Sequence, residues 1–225
     1  MNAGMATIVI AGGHGKIALR LGRLLHERGD RVRSLIRDPA QAPDVEATGA
    51  EPVVCDLEHA GEQELARVIA GADAVVFAAG AGPGSGSERK WTMDYGGAVK
   101  LIAAAKAGGI DRYVMVSSRG ADPDAPGDDT FAVYLQAKGK ADAELRESGL
   151  AYTIVRPGRL TDDPGTGRIS AGEDTGDGSV SRDDVAAVLA SAVHDPALAR
   201  VVLDVVGGDT PIEEALGACR PAPGS

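Results

Sequence analysis

The chain has 225 residues, which is long enough for one sizeable hydrophobic core, and we expect a single domain. Its formal net charge of −10 argues against non-specific binding to nucleic acid or to anionic membrane surfaces. Cys55 and Cys219 are far apart and the four histidines are scattered, so no group has the spacing of metal ligands. We therefore predict no metal site. Since no signal peptide or membrane-spanning run is recognisable, we expect a cytoplasmic protein.

Apolar runs rich in β-branched residues alternate with amphipathic stretches along the chain. The predicted strands are residues 6–11, 31–36, 51–56, 72–79, 112–118, 151–157 and 199–206. The predicted helices are residues 16–28, 60–70, 90–107, 131–148 and 182–194, with a weaker candidate at 40–48. This alternation is typical of a doubly wound, mostly parallel α/β sheet with helices on both faces, the three-layer Rossmann fold. Within one domain, we predict a cofactor-binding core at 6–157 and a small substrate-side segment at 158–219.

Three longer segments interrupt this alternation, and each follows a predicted strand: 81–89, 119–130 and 158–179. Ligands of open α/β sheets bind at the carboxyl ends of the strands, so these segments are predicted to shape a substrate pocket. The third is the longest and is predicted to form most of a small substrate cover. Residues 220–225 are predicted to be a frayed tail.

The first predicted strand runs into a glycine-rich turn, Gly12-x-x-Gly15-x-x-Ala18, and then into a predicted helix. Gly12 and Gly15 would let the backbone approach a ligand closely, and Ala18 would let the helix and the strand pack together. Helix N-termini attract phosphate because their N–H groups are unpaired and the dipole is positive there. The turn therefore predicts dinucleotide binding, with His14 and Lys16 over the pyrophosphate. Lys16 would equally suit a solvated position on the helix.

Residues after the second and third strands indicate which dinucleotide binds. Arg37 stands where NAD enzymes of this fold usually carry an acid, and an arginine there can pair with the 2′-phosphate of NADP. NADP is therefore favoured over NAD. A plain surface arginine with Asp38 on the ribose is the alternative. Asp56 is placed to accept a hydrogen bond from the adenine amino group, or else to serve only as a helix N-terminal acid.

Tyr134 and Lys138 lie four residues apart in a predicted helix and therefore share one face. A cation fixed near a phenol makes the phenol a stronger acid, able to protonate a carbonyl oxygen as hydride arrives from a nicotinamide. Ser117 and Ser118 end the fifth predicted strand, where a hydroxyl would orient the same carbonyl or serve only in the loop. Together these side chains predict a proton-transfer site.

From about residue 6 to residue 206 the chain resembles the short-chain dehydrogenase/reductase superfamily, and within it the atypical single-domain NAD(P)-binding members. The stretches that carry the resemblance are IAGGHGKIA, LIRDP, AVVFAAG, DYGGAVKLIAAAKAGGIDRYVMVSS, YLQAKGKADAELRESGLAYTIVRPGRLTDDPGTG and SRDDVAAVLA. The resemblance implies a catalytic set of Ser118, Tyr134 and Lys138. Asp94 resembles the fourth catalytic position, where most members have asparagine. An ionised aspartate cannot donate a hydrogen bond there.

The resemblance also implies that residues 78–80 line the adenosine ribose, that Lys138 holds the other ribose, and that Pro157 and Gly158 hold the nicotinamide carboxamide. With the motifs above, the predicted cofactor contacts are Gly12, His14, Gly15, Lys16, Ile17, Arg37, Asp56, Leu57, Ala78, Ala79, Gly80, Ser117, Lys138, Pro157, Gly158 and Leu160.

These features predict an NADP(H)-dependent oxidoreductase that passes hydride to a small carbonyl, quinone or flavin-like acceptor. The alternatives are an NADP(H)-binding redox sensor without turnover, and an enzyme similar to sugar epimerases or dehydratases. Arg119 and Arg159 flank the predicted pocket and would favour an anionic substrate, unless they are simply solvated. The expected partner is a small-molecule substrate, and monomer and homodimer are both open.

Overall fold

The computed structural model describes residues 5–82 and 84–221. Most of the predicted tail, residues 222–225, lies outside this range. The strands are β1 Thr7–Ala11, β2 Arg31–Ile36, β3 Glu51–Val54, β4 Ala74–Phe77, β5 Arg112–Val116, β6 Ala151–Pro157, β7 Arg159–Thr161, β8 Arg168–Gly172, β9 Ser179–Ser181, β10 Val201–Gly207 and β11 Thr210–Pro211. The α-helices are α1 Lys16–Glu27, α2 Ala42–Glu46, α3 Glu62–Ile69, α4 Ser87–Arg89, α5 Gly96–Ala107, α6 Thr130–Glu147, α7 Arg182–His194 and α8 Ile212–Ala218.

A nine-stranded sheet runs through the described part of the chain in the order β11-β8-β10-β6-β5-β4-β1-β2-β3. The seven strands from β10 to β3 are parallel to one another, and they correspond to the seven predicted strands. The order β3-β2-β1-β4-β5-β6 is that of a doubly wound dinucleotide-binding sheet, with its topological switch between β1 and β4. The predicted fold class is confirmed.

The sheet is buried on both faces, as the near-continuous apolar strands predict. Helices α1, α7 and α8 cover one face, where Leu21 and Leu189 are fully buried. Helices α3, α5 and α6 cover the other face through residues such as Leu65 and Leu101. Successive residues of β5 point to opposite sides, so Val114 belongs to the first core and Tyr113 to the second. This packing leaves the carboxyl ends of the parallel strands open along one edge.

The segment 158–179 differs from its prediction as an irregular cover. It contains β7 and β8, and β9 begins at its end; β7 pairs with β9, while β8 adds to the main sheet antiparallel to β10. These strands are only three to five residues long, and their pairing partners lie far along the chain, so no local periodicity signals them. Helix α8, after the last predicted strand, was also not predicted.

The predicted helix 90–107 is not regular throughout. Residues Lys90–Tyr95 form a π-helical turn between α4 and α5. Such turns are often found at functional sites, and this one carries Lys90 and Asp94 towards the open edge of the sheet. None of the described helices is long and apolar enough to cross a membrane.

Candidate active site

The glycine turn after β1 is shaped by close backbone packing. Gly12 has φ +80°, and a Cβ atom on it would lie 2.6 Å from the Cα of Ala79. Gly13, which the sequence motif did not include, is also sterically required, because its Cβ would lie 2.5 Å from the Cβ of Ser34. The turn therefore brings β1, β2 and the end of β4 within contact of one another, and its glycines present only main chain to a ligand.

Helix α1 begins directly after this turn with an unusual N-terminus. Gly15 occupies the N-cap position, no side chain caps the helix, and its first turn contains no acidic residue. The first N–H groups therefore have neither a side-chain acceptor nor a repelling carboxylate, which fits a bound phosphate. This arrangement and the glycine packing fit the pyrophosphate of a dinucleotide.

A cavity of about 230 Å³ adjoins the turn at the ends of β1 to β4. Predicted cofactor contacts line much of it, namely Gly12, His14, Gly15, Arg37, Asp56, Leu57, Ala78, Ala79 and Gly80. Residues that the motifs did not indicate complete its wall, namely Leu35, Ile36, Gln41, Cys55, Ala81, Gly82, Arg89 and Met93. Burial raises the pKa of the Cys55 thiol to about 11, so this cysteine is an inert part of the wall.

The two residues that follow β2 have different roles. Arg37 is exposed at the cavity and forms no ion pair within the described part of the chain. The Asp38 carboxylate accepts a hydrogen bond from the Ala40 N–H at 2.9 Å and caps a short 3₁₀ helix, Pro39–Gln41. Asp38 is therefore engaged outside the cavity, which leaves Arg37 as the charged group of this pair that faces it.

Asp56 lines the same cavity and also organises its own loop. Its carboxylate accepts a hydrogen bond from the Glu58 N–H at 3.0 Å and pairs with the His59 ring at 3.0 Å. Burial acts to raise the pKa of Asp56, but these hydrogen bonds and the nearby Arg37 hold it below its ordinary value. Asp56 is thus an acceptor suited to an amino group. It is not the helix N-terminal acid of the alternative prediction, because α3 begins at Glu62 with Gly61 at its N-cap.

Lys16 is the first residue of α1, and its exposed side chain forms an ion pair with Asp162 at 2.5 Å between Nζ and Oδ2. Asp162 also pairs with Arg182 and contacts Arg20. The contact of Lys16 with a pyrophosphate stays a prediction. His14 lines the cavity and pairs with Asp44 at 2.7 Å.

A second cavity of about 510 Å³ shares the wall formed by residues 78–82 with the first. It brings together all four predicted catalytic residues, Asp94, Ser118, Tyr134 and Lys138. The predicted cofactor contacts Ile17, Ser117, Pro157, Gly158 and Leu160 line it as well. Sequence reasoning missed Lys90, Thr130 and Phe131, which complete it at the unpredicted π-helical turn and at the start of α6.

Lys138 is buried and held in one position. Its Nζ donates a hydrogen bond to the Val116 carbonyl at 3.1 Å and lies 3.3 Å from Asp94 Oδ1. The other Asp94 oxygen accepts from the Ala81 N–H at 3.1 Å. Burial disfavours the charged ammonium, but the Asp94 carboxylate, together with Tyr134 and Asp142, more than offsets this, so the pKa of Lys138 lies above its ordinary value.

Tyr134 projects into the cavity between two other side chains. The Phe131 ring stacks on it at a centroid distance of 6.1 Å, and Lys90 Nζ lies 5.5 Å from the centroid of its ring. Among the described residues none hydrogen-bonds to the Tyr134 hydroxyl, while the Ser118 hydroxyl donates only to the neighbouring Arg119 carbonyl at 3.2 Å. Both hydroxyl groups can therefore turn towards a bound molecule.

Asp142 is a buried acid next to this site. Asp142 lies one turn after Lys138 on α6, is almost fully buried, and accepts a hydrogen bond from Arg156 Nε at 2.7 Å. Burial raises the pKa of Asp142, with Arg156 acting in the opposite direction. The i, i+4 spacing from Lys138 was the available sequence signal for this residue.

An open parallel sheet, a bare helix N-terminus behind a glycine turn, and two joined cavities at the strand ends define a Rossmann-fold dinucleotide-binding protein. The family model for NAD(P)H-binding proteins matches residues 12–196. The chain belongs to this NAD(P)H-binding family, as the resemblance to atypical short-chain dehydrogenases/reductases predicts.

Individual proteins are similar to the chain over nearly their whole length. A protein of Bacillus subtilis named "Uncharacterized sugar epimerase YhfK" is 39% identical over 93% of this chain and 98% of its own. A solved structure from Bacillus halodurans, provisionally named an NAD-dependent epimerase/dehydratase, is 37% identical with a TM-score of 0.87, covering 95% of this chain and 99% of its own. The oxidoreductase ylbE of Lactococcus lactis is 28% identical with a TM-score of 0.83, covering 94% and 95%.

Proposed function

We propose that the protein is an NADP(H)-dependent oxidoreductase that reduces a small carbonyl, quinone or flavin-like acceptor. The observation that carries this proposal is the shared wall, residues 78–82, between the cavity at the glycine turn and the cavity around Tyr134. A dinucleotide whose pyrophosphate lies at the start of α1 and whose adenosine lies beside Arg37 can extend past this wall towards Tyr134. The similarity to the Lactococcus lactis oxidoreductase supports the same class of reaction.

NADP is the proposed cofactor, with NAD less favoured. Arg37 is exposed at the cavity beside the glycine turn, where the adenosine would lie, and a guanidinium pairs well with a 2′-phosphate. Asp38, which would favour the free ribose hydroxyls of NAD, caps the 3₁₀ helix instead. The proposed compartment is the cytoplasm, because the described Cys55 and Cys219 are both free thiols.

The reaction requires a hydride donor and a proton donor on either side of the acceptor. Bound NADPH supplies the hydride. Tyr134 donates the proton to the reduced oxygen through its free hydroxyl, and Ser118 orients that oxygen from the end of β5. Val116 and Asp94 fix Lys138 in the cavity wall, where its ammonium would hold the nicotinamide ribose.

The same ion pair favours a second candidate function. Because Asp94 neutralises Lys138 at 3.3 Å, the lysine exerts a weaker field on Tyr134 than an unpaired lysine would. A protein that only binds NADP(H) and signals its redox state would tolerate this arrangement. A sugar epimerase or dehydratase is a further alternative, and its support is the names of two relatives.

The test measures NADPH consumption with a panel of quinones, flavins, dicarbonyls and aldehydes. The protein is compared with Tyr134→Phe and with Tyr95→Phe, whose hydroxyl contacts Glu144 outside the cavity. We expect turnover with at least one acceptor, a loss of at least about tenfold in Tyr134→Phe, and no change in Tyr95→Phe. Tight NADPH binding without any turnover would favour the sensor.

A further inference from the structure

Lys90 is a buried lysine that faces the same cavity as Tyr134. It is only 8% exposed and is the first residue of the π-helical turn Lys90–Tyr95. Its Nζ lies 5.5 Å from the centroid of the Tyr134 ring, on the open edge of the sheet. The ammonium is therefore close to the position where an acceptor would be protonated.

No carboxylate balances this charge in the part of the chain that the structure describes. Lys90 Nζ donates to the Gly82 carbonyl at 3.1 Å and to the Ser85 hydroxyl at 2.9 Å, and both acceptors are neutral. Two other cations that line these cavities differ from Lys90, because Lys138 pairs with Asp94 and Arg89 pairs with Glu58. Burying a charge without a counter-ion is costly, and an ammonium has a third N–H that the two acceptors do not use.

The adjoining part of the cleft is also lined by cations. This wider space of about 960 Å³ includes Arg119, Arg159 and Arg182 in its wall, together with Ser118 and Tyr134. Arg119 pairs with the exposed Asp177 and lies 3.8 Å from the largely buried Asp204, and Arg182 pairs with Asp162. Arg159 forms no ion pair among the described residues, so it adds an uncompensated positive charge to this wall in a chain whose net charge is −10.

We propose that Lys90 binds a carboxylate or phosphate group of the molecule that enters the cavity and so holds that molecule beside Tyr134. This deepens the proposed function, since the molecule would be the hydride acceptor, and it narrows the acceptor class to anionic compounds. Arg159 contributes a second positive charge at the rim. The competing explanation is that Lys90 only fixes the loop through Gly82 and Ser85.

The test measures binding rather than turnover, so that it is independent of the oxidoreductase assignment. Calorimetric titration of the protein saturated with NADP⁺ compares naphthalene-2-carboxylate with naphthalene-2-carboxamide, which has nearly the same shape without the charge. The variant Lys90→Gln keeps an N–H donor for Gly82 but removes the charge. Lys140→Gln is the matched control, because Lys140 is exposed and lies over Trp91 outside the cavity.

We expect the native protein to bind the carboxylate at least about tenfold more tightly than the carboxamide, as for a hydrogen bond to a charged group. Lys90→Gln should remove this preference, and Lys140→Gln should keep it. The proposal is wrong if the native protein shows no preference or binds neither probe, or if the preference survives in Lys90→Gln. An equal loss of both probes in Lys90→Gln would identify the loop role instead. If NADP⁺ does not bind, the proposed function fails, and the same titrations on the cofactor-free protein still test Lys90.

Discussion

Asp94 and Lys138 form an ion pair inside the predicted catalytic cavity, with 3.3 Å between Oδ1 and Nζ. Their side chains are 1% and 4% exposed, so water screens neither charge effectively. An asparagine at position 94 would leave the lysine charge uncompensated. The ion pair therefore fixes the Lys138 ammonium in the folded core, and it weakens the positive field that Lys138 exerts on Tyr134.

The first prediction concerns the stability that this pair provides. Asp94→Asn removes the counter-ion but keeps the size of the side chain, and it should lower the free energy of unfolding by about 3 kcal/mol, because a buried charge loses its partner. Urea denaturation of the two proteins measures the difference. In the double variant with Lys138→Met the loss should be smaller than the sum of the single losses.

Glu144→Gln is the matched control for Asp94→Asn. Glu144 accepts a hydrogen bond from the Tyr95 hydroxyl at 3.2 Å at an exposed position. Its substitution should therefore change the free energy of unfolding of the protein by less than about 0.5 kcal/mol. Equal losses in the free energy of unfolding for the two substitutions would contradict the prediction, because the buried ion pair would then stabilise the protein no more than an exposed hydrogen bond.

The second prediction concerns the choice of cofactor. Arg37→Ala should weaken NADPH binding by at least about tenfold and leave NADH binding nearly unchanged, because only NADPH carries a 2′-phosphate for the guanidinium. Quenching of protein fluorescence or calorimetry measures both dissociation constants. Arg23→Ala, an exposed arginine on α1 away from the cavity, should change neither. Equal weakening for both nucleotides would argue against the 2′-phosphate contact.

The parallel core of the fold could be predicted from the sequence, because each of its strands is a local apolar run and each crossover a local amphipathic stretch. The meeting of Ser118, Tyr134 and Lys138 could be predicted for a similar reason. Two of them share a helix face, and the third ends a strand of the same sheet edge.

The rest depends on contacts between distant parts of the chain. β8 pairs with β10 and β11 through residues more than thirty positions apart, such as Ala171 and Val205, and its own five residues give no period. The ion pair of Lys16 could not be predicted either, because its partner Asp162 is far along the sequence and lies next to it only in the fold. The place of Lys90 in the cavity could not be predicted, because a π-helical turn shifts the face that a regular helix would present.

The third prediction concerns the glycine turn. Gly12→Ala should abolish NADPH binding and destabilise the protein, because φ at this position is +80° and the new Cβ would lie 2.6 Å from the Cα of Ala79, which is main chain and cannot move aside easily. Gly217→Ala is the control, since its Cβ would meet no atom within 4 Å on α8. Its melting temperature should stay the same or rise slightly. Thermal unfolding with and without NADPH distinguishes the two cases.

The fourth prediction concerns the pH dependence of the contacts that Glu58 makes with Arg89 and Thr92. Arg89 lines the wall of the cavity at the glycine turn. Glu58 accepts hydrogen bonds from Arg89 Nη2 at 2.7 Å and from the Thr92 hydroxyl at 2.7 Å. The Arg89 hydrogen bond, opposed by burial, holds the pKa of Glu58 below its ordinary value of 4.5. The folded state therefore binds the proton less readily than the unfolded state. Glu58 adds stability that is complete well above pH 4.5 and is lost as the pH falls through the lowered pKa.

Glu58→Gln should accordingly lower the free energy of unfolding by about 2 kcal/mol at pH 7, as expected for hydrogen bonds to a charged group. The difference from the native protein should shrink as the pH falls from 4.5 through the lowered pKa, since the unfolded state takes up a proton first and the folded Glu58 only at the lower pH. Urea denaturation at several pH values between about 3 and 7 measures it. Glu51→Gln, which breaks an exposed pair with Arg31, should have little effect at any of these values. A difference at Glu58 that stayed constant across the whole range would mean that its charge does not stabilise this wall, and that only the shape of the side chain does.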